Sequence, residues 1–294
     1  MRGVDFRAVL AGVTFGIIWA SAFTSARIIV VAAPPLTALG LRFLISGLVG
    51  VLLALALGQS WRLSAKAWRL VVIFGICQNA LYLGLNFVAM QSLEASLAAI
   101  VASTMPLLVA LVLWLAFGER LPPLGTAGLV AGVIGVALIM GSRVQGGADL
   151  FGLALCAVGV VSLTVATLAV RGASSGGNYL MVVGLQMLVG SAALFPVALL
   201  TESWSVEWSW PFAWAFGYTV LFPGLVATVI WFWLVNRIGA VKAAVYHFLT
   251  PFFGVLIAAM VLGEQVEAAD LIGVLVIAAG ILAVQLSKQK PTQA

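Results

Sequence analysis

Apolar stretches of roughly 20 residues, the length needed to cross a bilayer as a helix, follow one another along almost the whole chain. Read between breaks of Gly, Pro and charge, there are ten, at about 8–31, 36–57, 67–89, 95–117, 122–141, 150–170, 178–200, 212–235, 241–262 and 267–286. Only a few residues separate each from the next. With 64% of residues apolar and 8% charged, such a chain could not cover its own core with polar side chains in water. A soluble enzyme, a nucleic-acid binder and a disordered chain are excluded. The expectation is an all-α integral membrane protein with ten transmembrane helices and no soluble domain.

The 14 basic and 9 acidic residues fix the direction of the spans. With the N-terminus in the cytoplasm, Arg2, Arg7, Arg62, Lys66, Arg69, Arg120, Arg171, Arg237, Lys242, Lys288 and Lys290 all fall on that side, 11 of the 14. Arg27, Arg42 and Arg143 stay on the other side or at helix ends, together with Glu94, Asp149, Glu202, Glu207, Glu264, Glu267 and Asp270. Cytoplasmic loops retain Lys and Arg, so both termini are expected in the cytoplasm. Arg2 and Arg7 precede an apolar stretch without a clear small-residue cleavage site, so the first helix is expected to stay.

The chain is also written twice. Pro106, Gly118, Glu119, Gly128 and Gly135 recur as Pro251, Gly263, Glu264, Gly273 and Gly280, each at an offset of 145. Ala95, Ala98 and Ala99 recur as Ala240, Ala243 and Ala244, and GLRFL (40–44) echoes GLQML (184–188) at an offset of 144. The halves, 1–143 and 144–294, hold five spans each, and five is odd, so equivalent helices are expected to cross in opposite directions. Inverted repeats of this kind can exchange conformations and open a site to alternate sides of the membrane.

A Gly-Glu pair after the fourth helix of each half, glycines along the fifth, WASAF (19–23) and LRFLISG (41–47) together resemble the EamA-type members of the drug/metabolite transporter superfamily. The resemblance covers essentially the whole chain. Within the superfamily the chain is most similar to bacterial exporters of aromatic and other apolar amino acids of the YddG kind. It implies ten helices around a central cavity lined by the first four helices of each half, in a bacterial inner (plasma) membrane.

Polar side chains inside a span mark a cavity or a partner helix. Gln78, Asn79, Tyr82 and Asn86 stand three or four residues apart along the third span, on one stripe of an α-helix. They read as a cavity lining offering amides and a phenol to a zwitterion, or as interhelical hydrogen bonds worth ~0.6 kcal/mol each. Ser103 before Pro106, and Tyr246 and His247 before Pro251, occupy equivalent places in the fourth and ninth spans. Each proline removes a backbone donor, so both helices are expected to bend. His247 reads as a satisfied structural donor or as a proton carrier. Trp19 and Trp231 lie deeper than an interfacial belt and either stack on a solute ring or fill core volume. Trp204, Trp208, Trp210 and Trp214 read as an interface anchor.

Arg42 stands about two turns into the second helix, ~9 Å from its outer end. It either snorkels to the outer headgroups or binds a carboxylate or gates. Glu119 and Glu264 each precede a helix whose dipole a carboxylate would complement. Gly12/Gly16 and Gly128/Gly132 carry GxxxG spacing for close helix contact.

The absences narrow the chemistry. One histidine and two cysteines inside apolar runs, Cys77 and Cys156, offer no metal centre or disulfide framework. No P-loop is present, and no acidic residue lies in the middle third of any span. No cofactor, no metal and no enzymatic activity are expected. The partners are a small-molecule solute and the lipid bilayer, with no nucleic acid; oligomeric state stays open. The favoured reading is an alternating-access exporter of small metabolites, aromatic or apolar amino acids first, acting as a facilitator. The alternative keeps the fold and exports sugar-like, nucleotide-linked or neutral drug solutes.

Overall fold

A computed structural model describes residues 5–118, 122–145, 149–169, 178–238 and 245–287, with Gly147 and Ala243. Among these residues every regular element is helical. The elements are α1 (Phe6–Ala32), α2 (Pro35–Ala56), α3 (Ala65–Ala89), α4 (Ala95–Phe117), α5 (Pro123–Gln145), α6 (Leu150–Ala169) and α7 (Tyr179–Thr201). Then come α8, built of Trp210–Thr219, Val220–Val226 and Ala227–Ile238, α9, built of Val245–Leu249 and Thr250–Leu262, and α10 (Ala268–Ser287). Eight of the described helices are long and apolar enough to cross a membrane, and Thr250–Leu262 and Ala268–Val284 add two shorter apolar ones.

The chain forms two compact units, and each draws on both sequence halves. Unit 1 comprises residues 1–24, 94–150 and 230–294, and unit 2 comprises residues 25–93 and 151–229.

In unit 1, α5 packs against α10 backbone to backbone. A Cβ added at Gly128 would lie 2.6 Å from the Gly280 carbonyl oxygen, and one at Gly135 would lie 2.9 Å from that of Gly273. As the number rises along one helix it falls along the other, so the pair is antiparallel. The contact is also reciprocal under the repeat: Gly128 meets the counterpart of Gly135, and Gly135 meets the counterpart of Gly128. A local two-fold axis therefore passes between α5 and α10. Gly254 of α9 closes on the Ala99 Cβ of α4 in the same unit, at 2.5 Å from an added Cβ.

Unit 2 repeats the device with α2 and α7. A Cβ at Gly184 would lie 2.8 Å from Val51 N and 2.9 Å from Gly47 O, and one at Gly40 would lie 3.5 Å from the Phe195 ring. Ser191 Oγ donates to Gly40 O at 2.8 Å. This pair too is antiparallel. In both pairs the small residue at the crossing lets dispersion and backbone contacts replace a hydrophobic drive that lipid does not supply.

Both prolines open a new helix. α4 is interrupted at Thr104, with Pro106 the second residue of Met105–Phe117, and α9 changes from 3-10 to α at Thr250, with Pro251 again second. Ser103 Oγ and Thr104 Oγ1 donate to the Ile100 and Val101 carbonyls at 2.7 Å each, meeting acceptors at the break. Gly118 and Gly263, at equivalent positions, end α4 and α9 with φ of 66° and 69°, the left-handed cap glycine adopts without penalty.

Two further departures from α geometry fall at matching places. Gly75–Tyr82 in α3 and Val220–Val226 in α8 are π-helical, and their first residues are 145 apart. In α8 the cause is visible: Pro223 has no N–H for the Thr219 carbonyl four residues before it. Such segments are rare and concentrate at functional sites.

Helix starts are capped across the sequence halves. Glu264 Oε1 accepts from Ala95 N at 2.7 Å and Oε2 from Ser96 N at 3.0 Å, at the start of α4. The carboxylate does complement a helix N-terminus, but that of α4, not of the α10 it precedes in sequence. At the start of α10 it is Asp270 Oδ2 that accepts a backbone N–H, from Glu267 N at 3.0 Å. Glu119 lies outside the described residues. In unit 2, Glu202 accepts from Leu36 N, Thr37 N and Thr37 Oγ1 at 2.7–2.8 Å, and Gln59 Oε1 accepts from Met181 N at 3.0 Å. Glu264→Ala should therefore lower stability by about 1–2 kcal/mol, with Glu264→Gln recovering part. Thermal unfolding of purified protein checks this, and an unchanged midpoint would remove the cap from the account.

Candidate functional site

The candidate site grows from one turn of α1. Phe15 and Trp19 are four residues apart, so both project from the same face, and Phe15 is buried with 2% exposure. Around it stand Trp19, Trp231 of α8 and His247 of α9, at ring-centroid distances of 5.7, 5.1 and 5.3 Å. The imidazole meets Phe15 edge-on at 89°, Trp19 at 87° and Trp231 at 60°. These separations and tilts are those of favourable aromatic pairs. Trp19, Trp231 and His247 are each only partly buried. The cluster is thus a ring-lined surface with a closed floor, all within unit 1.

The sequence places the rings there through two glycines. Gly12 faces the Tyr246 ring so closely that a Cβ would overlap it, and one at Gly16 would lie 3.3 Å from Leu249 Cβ. The GxxxG spacing of α1 therefore seats the 3-10 segment that carries Tyr246 and His247. His247 makes no hydrogen bond among the described residues. Its neighbours are rings, which offer its N–H groups no lone pair.

The α3 stripe divides. Asn79 Nδ2 donates to Gln186 O of α7 at 2.9 Å, and Asn86 Nδ2 donates to Tyr82 O at 2.8 Å, with Cys156 Sγ 3.5 Å from Asn86 Oδ1. Asn79, Tyr82 and Asn86 are 2%, 1% and 1% exposed. Asn79 and Asn86 are thus engaged by interhelical and local hydrogen bonds, Tyr82 accepts one through its backbone carbonyl, and Gln78 alone of the four is partly exposed. The stripe assumed α periodicity. The π segment changes the turn per residue and presents Asn79 to α7, where Gly190 leaves room for it, a Cβ there lying 2.5 Å from Asn79 Cβ.

Arg42 does not snorkel. It is 5% exposed, its Nε donates to the Thr219 carbonyl of α8 at 3.3 Å, and its guanidinium carbon stands 5.0 Å from the Phe43 ring centroid. The acceptor of this long bond is the carbonyl that Pro223 leaves without its helical donor. Ser103 of α4 is buried and bonded locally to Ile100 O. Trp204, Trp208, Trp210 and Trp214 are all exposed, by 62–79%, as an anchoring belt requires.

Outside the spans, Arg237 Nε donates to Asp5 Oδ2 at 2.6 Å, and that bond holds the Asp5 carboxyl below the usual carboxylate range. A concavity of about 660 Å³ runs along Pro123, Thr126, Val130 and Ile134 of α5. It is an apolar helix flank, touches none of the candidate residues, and reads as lipid-facing surface. Among the described residues no group of His, Cys, Asp and Glu is arranged to hold a metal.

Sequence reasoning missed Phe15, which looks like any core aromatic, and missed Thr219, whose importance was signalled by the proline four residues on.

Known proteins share this architecture. The sequence is 28% identical over 279 residues to the uncharacterized transporter YvbV of Bacillus subtilis, covering 95% of this chain and 91% of that one. It is 26% identical over 281 residues to the uncharacterized inner membrane transporter YedA of Escherichia coli, covering 92% and 88%. A crystal structure matches with a TM-score of 0.70 at 23% identity, over 97% of this chain and 99% of the other, a likeness of fold. The sequence model described as the EamA-like transporter family matches twice, at residues 6–141 and 150–286. Those two matches span nearly the whole chain: this multi-pass membrane protein belongs to the EamA-like transporter family.

Proposed function

We propose that the chain is an alternating-access exporter of aromatic and apolar amino acids, working as a facilitator down the solute's own gradient. The observation that carries the solute class is the Phe15–Trp19–Trp231–His247 cluster. Partly exposed rings over a buried floor suit stacking with an aromatic or apolar side chain, and an imidazole without a hydrogen-bond partner among the described residues suits a polar group beside it.

The architecture belonging to this reading is ten transmembrane helices in two inverted five-helix repeats, residues 1–143 and 144–294, with both termini in the cytoplasm. The local two-fold axis between α5 and α10 and the antiparallel pairing of α2 with α7 support the inversion. The distribution of Lys and Arg supports the orientation. Alternating access follows when two such halves exchange conformations.

Counterflow in proteoliposomes tests the proposal. Vesicles preloaded with unlabelled phenylalanine, leucine or methionine should transiently accumulate the labelled solute without any imposed ion gradient. Hexose-loaded vesicles should not. Accumulation of hexose and of no amino acid, by protein that elutes as a folded species, would overturn the solute class and favour a sugar-like solute.

A further inference from the structure

A guanidinium inside a membrane protein costs several kcal/mol unless its charge is met. Arg42 lies in unit 2 with 5% exposure, and what meets it there is weak. One long hydrogen bond runs from Nε to Thr219 O at 3.3 Å, and one ring lies 5.0 Å away. No carboxylate among the described residues pairs with it. The two terminal nitrogens, the fork that recognises a carboxylate in two places at once, have no hydrogen-bond acceptor among the described residues.

The surroundings are polar and neutral. Ser46, one turn on from Arg42 in α2, donates to Val220 O at 3.0 Å. Thr219 Oγ1 donates to Ala215 O at 2.6 Å and lies 2.9 Å from Ser25 Oγ. Ser25, Ser46 and Thr219 are 6%, 0% and 0% exposed. Thr219 and Val220 stand at the start of the π segment, so the two carbonyls that Arg42 and Ser46 engage come from the stretch where α8 departs from regular hydrogen bonding.

We propose that Arg42 is a binding site for the carboxylate of a small solute. A fixed positive charge set among hydroxyls and without a carboxylate partner among the described residues calls for a mobile counter-charge. One guanidinium balances one negative charge, which fits a monocarboxylate. A phosphate dianion or a nucleotide diphosphate would call for a second cation, and neither of the contacts of Arg42, the Thr219 carbonyl and the Phe43 ring, is one. The sequence repeat agrees that this is a feature of one half: the counterpart of Arg42 is Gln186. The assignment goes beyond the ring recognition proposed above and stands without it.

The test is thermal unfolding of purified protein with five probes: acetate, 3-phenylpropionate, phenylalanine, phenylalaninamide and inorganic phosphate. Unaltered chain, Arg42→Gln and Arg42→Lys are compared. Phenylalanine and 3-phenylpropionate should raise the midpoint of the unaltered chain, and phenylalaninamide should not. Arg42→Gln should weaken the apparent affinity for both acids at least tenfold, and Arg42→Lys should weaken it less. Equal shifts by acid and amide, full retention in Arg42→Gln, a larger shift by phosphate than by any carboxylate, or no shift by any probe would each overturn the assignment. If acetate matches 3-phenylpropionate, the carboxylate site stands and the ring reading fails. Should Arg42→Gln not fold, the acid–amide comparison on the unaltered chain decides.

Discussion

Valine at position 280 should leave little folded protein. A Cβ there would lie 2.6 Å from Gly128 O, 2.8 Å from Gly132 N and 3.1 Å from Gly132 Cα. All three are backbone atoms, so no rotamer change relieves the overlap and α5 must move away from α10. Overpacking of a tight core costs about 1–3 kcal/mol and sometimes more. Here separation would also loosen the reciprocal contact at Gly135 and Gly273. We expect the thermal midpoint of Gly280→Val to fall by about 5 °C or more, with much of the protein aggregated on size exclusion. Gly141→Ala, on the same α5, is the control: an added Cβ there meets nothing within 4 Å, and alanine favours the helix by about 1 kcal/mol. A Gly280→Val protein that melts with the unaltered chain would refute the backbone contact.

Removing both tryptophans of the ring cluster should have the largest effect on transport. Trp19→Ala with Trp231→Ala leaves Phe15 and His247 but takes away the two partly exposed indoles that flank them. If phenylalanine stacks there, each lost aromatic pair is worth about 0.5–1.5 kcal/mol, so counterflow at low substrate should drop on the order of ten- to a hundredfold. Because neither ring is fully buried, the double variant should still purify as a folded species. The informative readout is selectivity: discrimination between phenylalanine and leucine should shrink along with the rate. Loss of rate for all solutes in equal proportion would point to a packing role, and an unchanged profile would exclude the cluster from the path.

Much of the fold could be read from the chain because the devices that hold it are local and duplicated. Apolar runs give the helices, and the offset of 145 that relates Pro106 to Pro251 and Gly118 to Gly263 gives breaks and caps at matching places. The ring cluster was half legible. Trp19, Trp231 and His247 stand out by residue type, but their convergence depends on Gly12 and Gly16 admitting α9. What stayed hidden depends on partners far away in sequence. Arg42 bonds to a carbonyl 177 residues on, and Glu264 caps a helix that begins 169 residues before it. The bonding of Asn79 to α7 was hidden because hydrogen-bond register inside a helix answers to packing, which periodicity cannot report.

The reciprocal joint between α5 and α10 has an ancestral implication. When Gly128 meets the counterpart of Gly135 and Gly135 meets the counterpart of Gly128, each helix presents the same self-complementary patch. That is the geometry of an isologous interface between identical subunits. A gene encoding a single half would already carry both faces of the joint, and two copies of its product could dock through it in opposite orientations. Fusion into one chain would then have frozen a dimer in place, after which each half was free to acquire what the other lacks, as with arginine at 42 and glutamine at 186.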